Sequence, residues 1–394
     1  MNRRQLLALG VALPLASAYG KLYAVANAPG KLLLVFLRGG YDAINVLVPV
    51  ASDFYYEARP NIAIARPGSD SNTALPLDAS WALHPSLRET IYPLFLHGQV
   101  TFVPFCGTDD LTRSHFETQD SIELGQPLGG ARDHQSGFLN RLIGVLKGQQ
   151  PIAFTDQLPL VLRGEHDVPN MALRSLGKPA LDARQTAIIE AMYQRTTLAS
   201  SVNQGFGVRD EVMQAMAAEM EAANRGAITA KGFELEARRI ARLMADKFDI
   251  GFVDVGGWDT HVGQGGATGY LAGRLDELGH GLFAIAREMG SRWSDTVVVV
   301  ISEFGRTFRE NGNRGTDHGH GSVYWVMGGA IRGGRIAGDQ VPLTQGTLFQ
   351  NRDYPVLNEY RAILGGLFRR MYTLDATQLS RVFPNSSPRD CGLV

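Results

Sequence analysis

The chain has 394 residues, 44% of them apolar and 20% charged, with a formal net charge of -1. That length fits one large α/β domain or two ordinary ones, and the composition excludes a disordered chain and an integral membrane bundle. The near-neutral charge offers no basic field for nucleic acid, and two cysteines, Cys106 and Cys391, cannot build a disulfide scaffold or a four-cysteine zinc site.

The chain opens Met1-Asn2-Arg3-Arg4, and a mostly apolar run follows from Leu6 to Ala18. A membrane span needs about 20 apolar residues. This shorter run, interrupted by Pro14, reads as an export signal and not as a permanent span. The Arg3-Arg4 pair before two leucines fits the twin-arginine type, which makes the twin-arginine export machinery an expected partner. Of two small-residue cleavage sites, Ala26-Asn27-Ala28 is preferred to Ala16-Ser17-Ala18, because a strand begins soon after it. Residues 1–28 are thus expected to be the signal and 29–394 a single periplasmic or extracellular domain.

Nearly continuous apolar runs at Lys31–Leu37, Val100–Phe105, Leu158–Leu162, Ile250–Val255, Thr296–Ile301 and Val323–Met327 predict strands buried on both faces. Helical periodicity lies between them, at His134–Leu146, Asp182–Tyr193, Arg209–Ala222, Gly232–Lys247 and Gly269–Met289. This alternation predicts an α/β fold with a doubly wound, mostly parallel sheet. The stretch from about 180 to 245 is nearly all helical and reads as a helical insertion beside the sheet.

Ligands of such sheets bind outside the carboxyl ends of the strands. The segments that follow the apolar runs hold Arg38-Gly39-Gly40-Tyr41-Asp42, Arg113-Ser114-His115, Gly257-Trp258-Asp259-Thr260-His261 and Ser302-Glu303-Phe304-Gly305-Arg306. Asp317-His318-Gly319-His320 precedes the last apolar run. Imidazole beside carboxylate on short turns suits a divalent metal, zinc or manganese first, calcium or magnesium as alternatives. Ser114 has the position of a nucleophile, which a neighbouring metal would activate. Arg38, Arg113 and Arg306 carry forks that match phosphate or sulfate oxygens, or salt-bridge the neighbouring acids.

Together these motifs resemble an exported bacterial family of domains of unknown function, numbered 1501, from about Gly30 to the C-terminus. That family is similar to a distant branch of the alkaline phosphatase superfamily, which includes sulfatases. The resemblance implies an alkaline phosphatase-like fold and a role for each matching residue. Asp42 would bind a second metal, Ser114 would be the nucleophile, and Asp259 with His261 would bind the first metal. Glu303 stands where the superfamily has an aspartate, while Phe304 stands where it has a metal-binding histidine. His318 or His320 would complete the first metal, Asp254 competes with Asp259, and either His115 or His318 replaces the histidine lost at Phe304 or the site holds one metal instead of two.

The expected function is a metal-dependent hydrolase acting on a small-molecule or glycan-linked phosphate or sulfate ester. Ser114 would attack in line, and Arg38, Arg113 or Arg306 would hold the other oxygens. The alternative is a non-catalytic exported cell-envelope or glycan-binding protein with a degraded metal site. A dinucleotide oxidoreductase finds no support, since Arg38-Gly39-Gly40 follows a strand but lacks the third glycine of that loop.

Overall fold

The computed structural model describes residues 30–173, 183–215 and 232–394. The export signal expected over 1–28 lies outside them, as do parts of the expected helical insertion. Within that region the described helices are Ala183–Tyr193, Ala199–Ala215 and Phe233–Asp246.

The strands in chain order are β1 (Lys31–Leu37), β2 (Leu47–Val48), β3 (Leu75–Pro76), β4 (Ala82–Leu83), β5 (Val100–Gly107) and β6 (Pro151–Ala153). They continue as β7 (Ile250–Val255), β8 (Thr296–Ser302), β9 (Ser322–Met327), β10 (Arg335–Ile336) and β11 (Asn358–Glu359). The main sheet is ordered β10-β5-β9-β8-β1-β7-β6, with β11 also on β5, and β2, β3 and β4 form a small antiparallel sheet. Strands β6, β7, β1 and β8 pair in parallel. Strand β9 runs antiparallel to both β8 and β5. The fold is the α/β, mostly parallel sheet that the apolar runs predict.

All seven residues of β1 are buried, and their alternation divides them between two cores. Leu33, Val35 and Leu37 face the core that contains Ile240 of the Phe233–Asp246 helix and Leu278 of the Tyr270–Glu288 helix. Leu32, Leu34 and Phe36 face the core built with the Phe138–Leu146, Tyr360–Tyr372 and Ala376–Val382 helices. A strand between two layers is apolar at its core-facing positions, which explains the run Leu32–Leu37, while the buried Lys31 at its start is paired with Asp249 at 3.0 Å. Burying each such side chain contributes about 1.5–3 kcal/mol.

One expected strand is corrected. Leu158–Leu162 is buried but forms a 3-10 turn at Leu160–Leu162, and the strand nearby is β6 instead. Pro159 has no N–H for a ladder, and the Val161 N–H donates to the Glu123 carboxylate at 3.0 Å. The helix expected from His134 begins at Phe138, after a turn capped by Gly137.

The topology gathers the loops. Leu37, which ends β1, pairs with Val255 of β7 and Ser302 of β8, so those three strands finish together. Since β9 is reversed, its first residue, Ser322, lies opposite Cys106 near the end of β5. The segment between β8 and β9 therefore folds back over this edge, and Arg306 bridges to His318 within it.

Candidate metal centre

The His115–Leu124 helix follows β5 and starts at the site. Ser114 is its N-cap, its hydroxyl accepting from the Glu117 N–H at 3.5 Å, and Gly125 closes the helix in the left-handed conformation at φ 61°. Helical spacing places His115, Gln119 and Glu123 along one side. His115 Nδ1 lies 2.8 Å from Glu303 Oε1, and Gln119 donates to the same oxygen at 2.9 Å. The Gly39 N–H also donates to it at 2.8 Å, and the Ser302 hydroxyl lies 2.8 Å from Oε2. Burial opposes ionisation of Glu303, but these donors outweigh it and hold the carboxyl below its usual range. The Glu303 hydrogen bond in turn raises the His115 pKa.

Two further histidines approach from other loops. His318 Nδ1 lies 2.9 Å from the Arg113 carbonyl, and its Nε2 lies 3.3 Å from Asp259 Oδ1. His261 Nδ1 lies 3.1 Å from Asp317 Oδ1, and its Nε2 lies 2.9 Å from Asp259 Oδ1. The two Nε2 atoms are 3.1 Å apart. His115 Nε2 stands 3.5 Å from Asp259 Oδ2. Burial pushes the His318 pKa down, the Arg113 carbonyl opposing it. Burial also works against an ionised Asp259, yet Arg306 at 2.5 Å and the nearby histidines keep its pKa below the usual carboxylate value. Asp259 and His261 each leave 42% of their side chains exposed, so the cluster opens to solvent.

These residues fit a divalent metal. Among the described residues, His115, Asp259 and His318 offer ligand atoms that all lie within 4.8 Å of one another. His115 Nε2 is buried and makes no hydrogen bond, a donor atom in need of a partner.

The expected arginines surround the cluster and bind protein carboxylates. Arg306 is fully buried and donates to Asp259 and to the Thr316 carbonyl. Arg113 donates from Nε to Asp353 at 2.9 Å and from Nη2 to Gln350 at 2.7 Å. Arg38 pairs with Asp254 at 2.6 Å and with Glu123 at 2.8 Å.

Two expected ligands stand elsewhere. Asp42 is fully buried, with Arg59 on both oxygens at 2.6 and 3.0 Å and Gln264 donating at 2.6 Å. Gln264 in turn accepts from Thr260 and Thr316, so Asp42 supports the Asp259 loop from behind. His320 is buried against Phe349, with ring centroids 4.9 Å apart, and burial lowers its pKa. Phe304 packs against both His115 and His318, at centroid distances of 4.9 and 5.2 Å.

Sequence reasoning missed Gln119, Glu123 and Asp353 as supporting residues. The i, i+4 spacing from His115 would have found the first two. Nothing local marks Asp353, which reaches Arg113 from 240 positions away. Among the described residues no helix is long and apolar enough to cross a membrane.

In overall shape the chain is similar to a protein in the alkaline phosphatase superfamily from Vibrio parahaemolyticus, at 13% identity and TM-score 0.42, covering 93% of this chain and 72% of that one. It is also similar to Ps i-CgsB, solved in complex with k-i-k-neocarrahexaose, at 10% identity and TM-score 0.39, covering 89% and 74%. None of the curated proteins matches the sequence. The family described as protein of unknown function (DUF1501) matches residues 30–383, which takes in every strand of the main sheet and every residue of the cluster, and the chain belongs to that family.

Proposed function

We propose that this protein is an exported metal-dependent hydrolase of phosphate or sulfate esters. The single observation that carries this reading is the convergence of His115, His318 and Asp259 at the solvent-open end of the sheet. A divalent ion held there supplies Lewis acidity to a tetrahedral ester. His115 and His318 would hold it through Nε2 and Asp259 through its carboxylate, with zinc or manganese favoured by the nitrogen-rich set. Ser114 precedes the ligand His115, and its hydroxyl sits at a helix N-terminus, where the positive end of the dipole favours developing negative charge. Arg113 directs Nε and Nη2 at Asp353 and Gln350, which fixes its fork beside Ser114. Arg306 holds Asp259 ionised and oriented, a positioning role.

Purified full-length chain, stripped of metal and reloaded with zinc or manganese, is assayed against phosphomonoesters, phosphodiesters and sulfate esters. Turnover of one class is expected, falling about 100-fold or more in Asp259→Ala and Ser114→Ala. Absence of turnover on all classes by reloaded protein overturns the reading.

Phe304 favours a second reading, a non-catalytic binder of anionic glycans. Its ring packs against both His115 and His318 and offers no ligand atom to an ion beside them. Binding of a sulfated oligosaccharide without turnover would select this reading. For export, Arg3-Arg4 is the supporting feature. Replacing both with lysine should retain the protein in the cytoplasm, as cell fractionation would show.

A further inference from the structure

We infer that the ester taken at this centre carries an apolar group, aryl or alkyl, which lies on an exposed rim formed by Phe116, Val262, Tyr270 and Leu111. This names the substrate class of the proposed hydrolase and rests on that reading for the anionic end of the substrate.

Among the described residues nine large apolar side chains are exposed. Four of them lie in or directly next to the two segments that carry His115, Asp259 and His261. Single exposed apolar residues are ordinary, whereas several gathered beside a polar site mark a surface that a ligand covers. Phe116 is 84% exposed and Val262 70%, and each directly follows a histidine of the cluster. Consecutive helix residues stand about 100° apart around the axis. His115 turns to Glu303, which leaves Phe116 on the neighbouring, open side of the first helical turn. On the other loop His261 is held between Asp259 and Asp317, and Val262 beside it stays in solvent. Tyr270 opens its helix with its side chain half exposed, and its hydroxyl donates to the Gly257 carbonyl at 3.0 Å, two positions before Asp259. Leu111, also half exposed, lies in the segment between β5 and Ser114. The rim thus borders the cluster from the His115 helix and from the Asp259 loop.

The chemistry of the rim selects its occupant. Phe116, Val262 and Leu111 carry no hydrogen-bonding group in their side chains. Sugar hydroxyls laid on them would lose water without gaining a partner, whereas an aryl or alkyl group gains by leaving water. A bilayer is the other apolar partner, and charge opposes it. Glu117 and Asp120 are exposed on the first turns of the same helix, where they would meet an anionic lipid surface.

The test uses the full chain loaded with zinc and two anions that cannot be hydrolysed as esters, phenylphosphonate and methylphosphonate, with affinities read by calorimetry. Phenylphosphonate is expected to bind about 10-fold more tightly or better. Phe116→Ser and Val262→Ser should cut that preference about 3- to 10-fold while the affinities for methylphosphonate and zinc stay the same. Both side chains are exposed, so the variants report on binding with the fold intact. Equal affinity for the two anions, or a preference that both variants retain, overturns the inference. So does cosedimentation with anionic vesicles that Phe116→Ser abolishes, which would assign the rim to a membrane. Binding of neither anion overturns this inference and the ester reading together. A preference for phenylphosphonate on a chain that turns over no ester would overturn the hydrolase reading alone, whereas turnover with equal affinities would overturn only the role of the rim.

Discussion

Asp42 and His318 show how a residue acquires its role from partners distant in sequence. The Asp42 carboxylate follows a strand, as a metal ligand would, but Arg59 closes on it with both side chains fully buried. Removing one member of a buried pair leaves the other charge without compensation, at a cost of about 3–5 kcal/mol. Asp42→Ala should therefore lower stability by that amount in urea unfolding while the reloaded chain still binds its ion. Loss of the ion with stability unchanged would return Asp42 to the ligand set. His318 and His320 are two positions apart in one glycine-rich loop, and sequence alone leaves them equivalent. The Arg306–His318 bridge and the Arg113 carbonyl turn His318 into the cluster, whereas Phe349 packs against His320.

At the scale of elements, the helix that carries His115 is anchored at its far end. The Arg141 guanidinium, mostly buried, donates to the Leu124 carbonyl at 2.6 Å and to the Val382 carbonyl at 2.7 Å. It thereby neutralises the negative ends of two helices, His115–Leu124 and Ala376–Val382. Burial pushes its pKa down to about 10, so it stays charged across the physiological range. Arg141→Met should cost about 2–4 kcal/mol and speed hydrogen exchange at both helix ends. Equal exchange rates in the variant would show that the clamp is idle. His84 performs a similar tie between β4 and the loop before the Tyr270–Glu288 helix. Its Nδ1 accepts from the Ser86 N–H and its Nε2 faces the Gly266 carbonyl, each at 3.1 Å. Burial lowers its pKa from 6.5 to about 4. Protonation thus favours the unfolded chain. Stability is full above about pH 6.5, erodes as pH falls, and is reduced by about 3 kcal/mol below pH 4. Urea midpoints measured from pH 7 to 4 should show this loss, and His84→Gln should remove it.

For the whole molecule, the cluster joins loops that lie far apart in sequence, so an ion bound there crosslinks the sheet's open edge. An ion that binds only the folded chain stabilises it by about 2.7 kcal/mol at 100 times its dissociation constant. Zinc should therefore raise the melting temperature by a few degrees, a chelator should reverse the gain, and Asp259→Ala should abolish it. A zinc shift that survives in Asp259→Ala would place the ion elsewhere.

The sequence by itself determined the sheet and its chemical edge. Apolar runs such as the one within Lys31–Leu37 mark strands buried on both faces, because a polar side chain between two packed layers must find a partner there, as Lys31 does in Asp249. The polar segments next to those runs had to meet at one edge once the strands were parallel, and His115, Asp259, His261 and Glu303 were legible there. Only the tertiary structure decided which groups face one another. It pairs Asp42 with Arg59, buries His320 against Phe349 and sets Glu303 against His115. It also shows Leu158–Leu162 to be a turn, since apolar character reports burial but not the pairing of backbone N–H groups. Sequence fixes which side chains must leave water or stay near it, whereas hydrogen-bond partners are set by distances that only the packed sheet defines.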